Sequence, residues 1–170
     1  TKQLLPTVEV PGRLFLFGKS KLYGPCDSFN NLTLAEFADG EYWLNVFSET
    51  KDETNLDRFI ATLYRPIRSN AEINSPSFNG DYRQAYNSHF TDAIAKKVAR
   101  LSPSVKAAIL LWYKGCRAEI VAGNKFLFPQ GGDKDKPSSG TWADVVHGLA
   151  GPKFGTIEDT CRVLLKVILV

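Results

Sequence analysis

The chain has 170 residues, which predicts a single domain long enough to bury a core without disulfide or metal staples. Its 44% hydrophobic and 23% charged residues are those of a globular protein. A net charge of +3, with basic residues clustered only at Lys19/Lys21, Arg65/Arg68 and Lys96/Lys97/Arg100, is too diffuse to point to nucleic acid, and no apolar run is long enough to predict a membrane span.

The first 31 residues read as an extended arm. Pro6, Pro11, Gly12, Gly18, Gly24 and Pro25 interrupt any helix. Between them Arg13-Leu14-Phe15-Leu16-Phe17 is short, apolar and partly aromatic, the pattern of a strand, and Val8-Glu9-Val10 suits a second. Two strands alone are marginal in water, so the arm is expected to pack on the helical body or on a partner.

From residue 32 to 170 the pattern is helical. Thr33-Leu34-Ala35-Glu36 is a capping box, and Leu34, Phe37, Ala38, Leu44 and Phe47 follow it at helical spacing, with Gly40 as a weak point. Leu56, Phe59, Ile60, Leu63 and Tyr64 mark a second helix that Arg65-Pro66 ends. Residues 67–81 are polar and read as a loop. A third helix is expected from about Tyr82 or Ser88 to Leu101, with Phe90, Ile94, Val98 and Leu101 on one face. Ser102-Pro103 opens a fourth, whose stripe of Val105, Ile109, Trp112, Cys116 and Ile120 is widened by Leu110, Leu111 and Tyr113. That breadth predicts a central helix buried on most sides. Residues 130–140 read as a polar surface loop. Thr141-Trp142-Ala143-Asp144 starts a short helix, and Thr156-Ile157-Glu158-Asp159 starts a last one running to the apolar end at Val170. The expectation is a mainly α single domain of five to six helices, with an N-terminal arm carrying one or two short strands.

Signals of chemistry are sparse. Gly18-Lys19-Ser20 resembles the end of a phosphate-binding loop, but the first glycine of that motif would fall on Arg13. The bulky Leu-Phe-Leu-Phe run cannot converge its backbone N–H groups on a phosphate, and Tyr23-Gly24-Pro25 breaks the helix that should follow. Lys19 then reads as a solvated lysine at a turn. Cysteine–histidine catalysis would need His89 or His147 beside Cys26, Cys116 or Cys161, and Cys116 and Cys161 read as small core residues. Three distant cysteines without a CxxC fit a reducing compartment. No pair of residues has metal-ligand spacing, and Asp133 and Asp135 lack the glutamate that would complete a calcium loop. No catalytic residue, cofactor or metal is therefore assigned. Trp43 and Trp142 suit either the core or an interface, whereas Trp112 reads as core.

Four motifs in order carry a resemblance: Asn31-Leu32-Thr33-Leu34-Ala35-Glu36-Phe37, Ile60-Ala61-Thr62-Leu63-Tyr64-Arg65-Pro66, Leu111-Trp112-Tyr113-Lys114-Gly115-Cys116-Arg117 and Phe154-Gly155-Thr156-Ile157-Glu158-Asp159. Together they resemble small helical late-region structural proteins of tailed bacteriophages, in particular tail assembly chaperone-like or minor virion proteins of phages of Bacteroidetes-type bacteria. The resemblance covers about residues 30–170 and leaves the arm outside it. It implies a non-enzymatic tail or neck component or tail assembly chaperone, in the host bacterial cytoplasm or the virion. Its partners would be other phage structural proteins, in a homo- or hetero-oligomer without membrane. A small enzyme or nucleic-acid-binding factor without a local motif is the alternative class.

Leu14, Phe15, Leu16 and Phe17 are the expected contact residues, because an edge strand of bulky side chains suits addition to another sheet. Replacing Phe15 and Phe17 with Ser is expected to abolish partner binding while circular dichroism shows unchanged helical content; binding at normal affinity would refute the assignment.

Overall fold

The computed structural model of the chain describes residues 1–12, 18–124, 142–152 and 154–169. The fold is mainly helical with a small N-terminal sheet. Strands β1 (Thr7–Val10) and β2 (Ser20–Tyr23) pair antiparallel, Val8 opposite Leu22 and Val10 opposite Ser20. A one-turn 3-10 helix at Asp27–Phe29 leads into the helices: α1 (Leu34–Thr50), α2 (Glu53–Leu63), α3 (Asn70–Ile73), α4 (Thr91–Val98), α5 (Pro103–Gly123), α6 (Trp142–Leu149), α7 (Ile157–Arg162) and α8 (Leu165–Ile168). Among the described residues no helix is long and apolar enough to cross a membrane.

The arm packs on the chain's own helices. Val8, Val10 and Leu22 point inward from the hairpin and join Phe29, Leu32, Phe37, Phe59, Ile60 and Tyr113 in one core. Phe29 reaches it through two successive non-glycine residues at positive φ, Ser28 at 48° and Phe29 at 59°, a conformation that only a well-determined surrounding sustains. That surrounding is aromatic: the Phe29 ring lies 5.3 Å from Trp112 and 5.0 Å from Tyr113, and Phe59 meets Tyr113 edge-on at 4.8 Å. The contact residues expected in the arm, Leu14, Phe15, Leu16 and Phe17, lie outside the described residues, as does the loop expected at 130–140. Gly18-Lys19-Ser20 leads into a strand and not a helix: Ser20 opens β2, and Lys19 pairs with Glu9 at 2.8 Å on the surface.

Most helix boundaries follow local chemistry. Both halves of the Thr33/Glu36 capping box form at the start of α1. Ser102 caps α5 with Pro103 in its first turn. Tyr64 leaves the helical region before Pro66. Three expectations need correction. Residues 67–81 hold a short helix, α3, opened by a Ser69/Glu72 capping box. Phe90 is 59% exposed because it sits in the 3-10 turn before α4, off the stripe of Ile94 and Val98. The helix α5 is not buried on most sides, since Leu111 is 74% exposed one position from the buried Trp112.

The final helix also departs from its apolar pattern. It breaks after Arg162, and Val163 and Leu164 turn extended. There the backbone pairs with the segment before α1: Leu34 N donates to Val163 O at 3.0 Å and Leu165 N to Leu32 O at 2.8 Å. Two intersegment hydrogen bonds replace helical ones, and Leu165 reaches the core at 1% exposure.

Gly24 carries a steric requirement at the hairpin's exit. A Cβ there would lie 2.6 Å from ring atoms of Tyr64. That ring cannot give way: Tyr64 is buried, its hydroxyl donates to Leu5 O at 2.7 Å and accepts from Gln3 Nε2 at 3.1 Å. Gly24→Ala is expected to destabilise the fold by roughly 1–3 kcal/mol through overpacking, read as a lower urea midpoint. An unchanged midpoint would show that the arm can shift away from α2.

Candidate functional site

Four charged side chains are buried together beneath α1. Glu36 forms ion pairs with both Arg65 and Arg83, its Oε2 lying 3.4 Å from Arg83 Nη2. Arg83 also pairs with Asp81 at 2.8 Å. The exposures are 1% for Glu36, 3% for Arg65, 1% for Arg83 and 8% for Asp81. Two positive and two negative groups make the quartet neutral, the condition under which buried charges are tolerated.

The remaining donors are satisfied by backbone. Arg65 donates from Nε to Gln84 O at 2.7 Å and from Nη1 to Thr62 O at 2.6 Å. Arg83 donates to Leu63 O at 3.1 Å and to Asn31 O at 2.8 Å. The quartet thus ties together the start of α1, the end of α2 and residues 81–84. Burial lowers the Arg65 pKa from its ordinary value. Burial opposes the Arg83 charge too, but Glu36 and Asp81 more than offset it and raise that pKa. Both remain cations, as guanidinium groups do.

One face of the quartet opens on a cleft of about 1360 Å³. Its floor is a face of α1 that presents Ala35, Ala38, Asp39, Tyr42 and Asn45. Ala85 to His89 form one wall; Val146 and His147 of α6 with Ile157, Glu158 and Cys161 of α7 form the other. The Arg65 guanidinium lies 5.5 Å from the Tyr86 ring centroid, and the Tyr86 hydroxyl donates to Asp39 Oδ2. The quartet therefore continues through Tyr86 to a carboxylate in the open cleft. Burial, then Asp39, push the Tyr86 phenol far above its ordinary range, so it stays a donor. Elsewhere along the cleft the charges are matched: Arg117 with Glu41 at 2.7 Å and Arg162 with Glu158. Glu41 also accepts from the buried Tyr113 hydroxyl at 2.9 Å.

Both histidines and Cys161 line this cleft, a convergence that sequence spacing did not show. Among the described residues neither histidine side chain is hydrogen-bonded to Cys161. Burial, then Asp39 and Glu158, raise the Cys161 thiol, whereas a reactive cysteine needs a depressed pKa. Cys116 lies in the core as expected, its thiol pushed up to about 11 by burial. Cys26 is exposed. Trp112 is core, and Trp43 is half-buried with the Arg58 guanidinium 4.8 Å over its ring. Among the described residues no three His, Cys, Asp or Glu side chains are grouped to hold a metal ion. No protein-family profile, curated protein or solved structure matches the chain.

Sequence reasoning missed the quartet and Asp39. Glu36 was legible only as a capping residue and Arg65 only as a helix end. Arg83 sits in a polar stretch with no periodicity. Glu36→Gln keeps an acceptor for Thr33 N but leaves two buried arginines facing one carboxylate. It is expected to cost about 3–5 kcal/mol in denaturant unfolding. Arg162→Ala, which removes a pair with side chains 72% and 74% exposed, is expected to leave the midpoint nearly unchanged. Equal effects of the two would refute a structural role for the quartet.

Proposed function

We propose that the chain is a non-enzymatic structural or assembly protein of a tailed-phage-like particle, a tail or neck component or a tail assembly chaperone, that works by holding a segment of another protein. The observation that carries this reading is the form of the cleft. At about 1360 Å³ it exceeds the size of ordinary small-molecule pockets, roughly 300–1,000 Å³. From Ala35 to Asn45 its floor follows α1 for about 15 Å at helical rise, which suits a length of polypeptide. Its lining offers Tyr42 at 57% and Ile157 at 45% exposure, apolar surface of the kind that interfaces cover.

The electrostatics support the same reading. Most charges of the cleft are spent on one another, so it presents shape and a few directional groups rather than a concentrated field. The four motifs that resemble late-region phage structural proteins lie on α1, α2, α5 and α7, three of which contribute cleft-lining residues. The site of action under this reading is the host cytoplasm during assembly, or the particle.

The test is purification of the chain from phage-infected host cells, with mass spectrometry and light-scattering mass of what accompanies it. Recovery with a capsid, neck or tail polypeptide, or as a ring of itself, is the expected result. A companionless monomer would overturn the reading.

A further inference from the structure

The described charges of the cleft leave one carboxylate without a cation. Glu36 and Asp81 are matched by Arg65 and Arg83, Glu41 by Arg117, and Glu158 by Arg162, while Arg68, which also lines the cleft, pairs at 3.6 Å with Glu72 outside it. Asp39 has a single hydrogen bond, from the neutral Tyr86 hydroxyl, and no cation within ion-pair distance among the described residues. It is half-buried, in the middle of the cleft floor. The Tyr86 hydroxyl reaches it from one wall, and Cys161 lines the other. A half-buried carboxylate is incompletely hydrated, and a cation brought to it gains more than at an open surface.

The next turn of α1 supplies the second element. Tyr42 follows Asp39 by three residues on the same helical face, and its ring is mostly exposed in the cleft. A cation seated on Asp39 would lie beside an aromatic face, an arrangement that favours guanidinium and alkylammonium groups. Ala35 and Ala38, small and on the same floor, leave room for the backbone that carries such a group.

We propose that the cleft receives a segment of a partner protein that presents an arginine or lysine side chain to Asp39, between the Tyr86 hydroxyl and the Tyr42 ring. This rests on the reading of the cleft as a polypeptide-binding site and names the chemistry of its occupant. An acidic segment is excluded by the same geometry, since it would place two uncompensated carboxylates together.

The test is a nuclear magnetic resonance titration of the isotope-labelled full chain with n-butylguanidinium, n-butylammonium and, as the anionic counterpart, n-butanesulfonate. The expected result is saturable shifts for both cations confined to residues 38–42, 85–87 and 161, with none for the sulfonate. Asp39→Asn retains an acceptor for Tyr86 and is expected to weaken the cation midpoint about fivefold or more, the scale of a charge-assisted hydrogen bond. Tyr42→Ala, at an exposed position, is expected to weaken n-butylguanidinium about twofold or more and serves if the Asp39 variant fails to fold. Shifts scattered over surface carboxylates, or midpoints unchanged in these variants, would overturn the proposal. The outcome is separable from that of co-purification: a silent Asp39 in a chain recovered with a tail polypeptide removes only the cation site, and a cation site in a companionless monomer removes only the assembly reading.

Discussion

Glu36 is the side chain on which the rest of the structure depends. It caps α1 through Thr33 N and at the same time stands between Arg65 and Arg83. Without its charge two guanidinium groups would share one buried space with Asp81 alone. With it, the quartet is neutral, and residues 81–87, which contain no regular helix or strand, acquire a fixed position against α1. One carboxylate therefore sets the start of the longest element of the N-terminal half and the wall that faces it.

Burying four charges is not the route to greatest stability, because an apolar replacement avoids the desolvation cost. What the quartet adds is geometry. Guanidinium groups donate in fixed planar directions, and here each ties a carboxylate to carbonyl oxygens of separate segments, Thr62 and Gln84 for Arg65, Leu63 and Asn31 for Arg83. Tyr86 is placed by this lattice and hands its hydroxyl to Asp39. The opposite wall is positioned differently, by the extended Val163–Leu165 segment pairing with residues 32–34. Both walls are thus referred to the same few residues at the start of α1, the frame within which the cleft keeps its width.

The aromatic core serves the same end from below. Tyr113 sits among Phe29, Phe37 and Phe59 and reaches up with its hydroxyl to Glu41, which holds Arg117 at the cleft's end. The side of α1 that faces the core and the side that faces the cleft are therefore coupled through Glu41. A protein working through contacts needs such a rigid floor, because the entropy of ordering a binding surface subtracts from the affinity it can deliver.

The helical character, the capping boxes at Thr33 and Thr156, the stop at Pro66 and the start of α5 were legible in the sequence, because capping, proline geometry and amphipathic spacing act within a few residues. So was the strand at Val8–Val10, from its alternation. The break after Arg162 was not, because an apolar helical run gives no sign that its backbone will be claimed by residues 32–34. Nor was the exposure of Leu111 and Phe90, since hydrophobicity states what can be buried and only packing states which side is. The cleft lay furthest from view: Asp39, Tyr86, His147 and Cys161 are dispersed over more than a hundred residues, and nothing local links them. Local free energies set the elements in the sequence itself; the meeting of Glu36 with two distant arginines, and the unmatched Asp39 beside them, came only with tertiary structure, because charge neutralisation under burial acts through space and not along the chain.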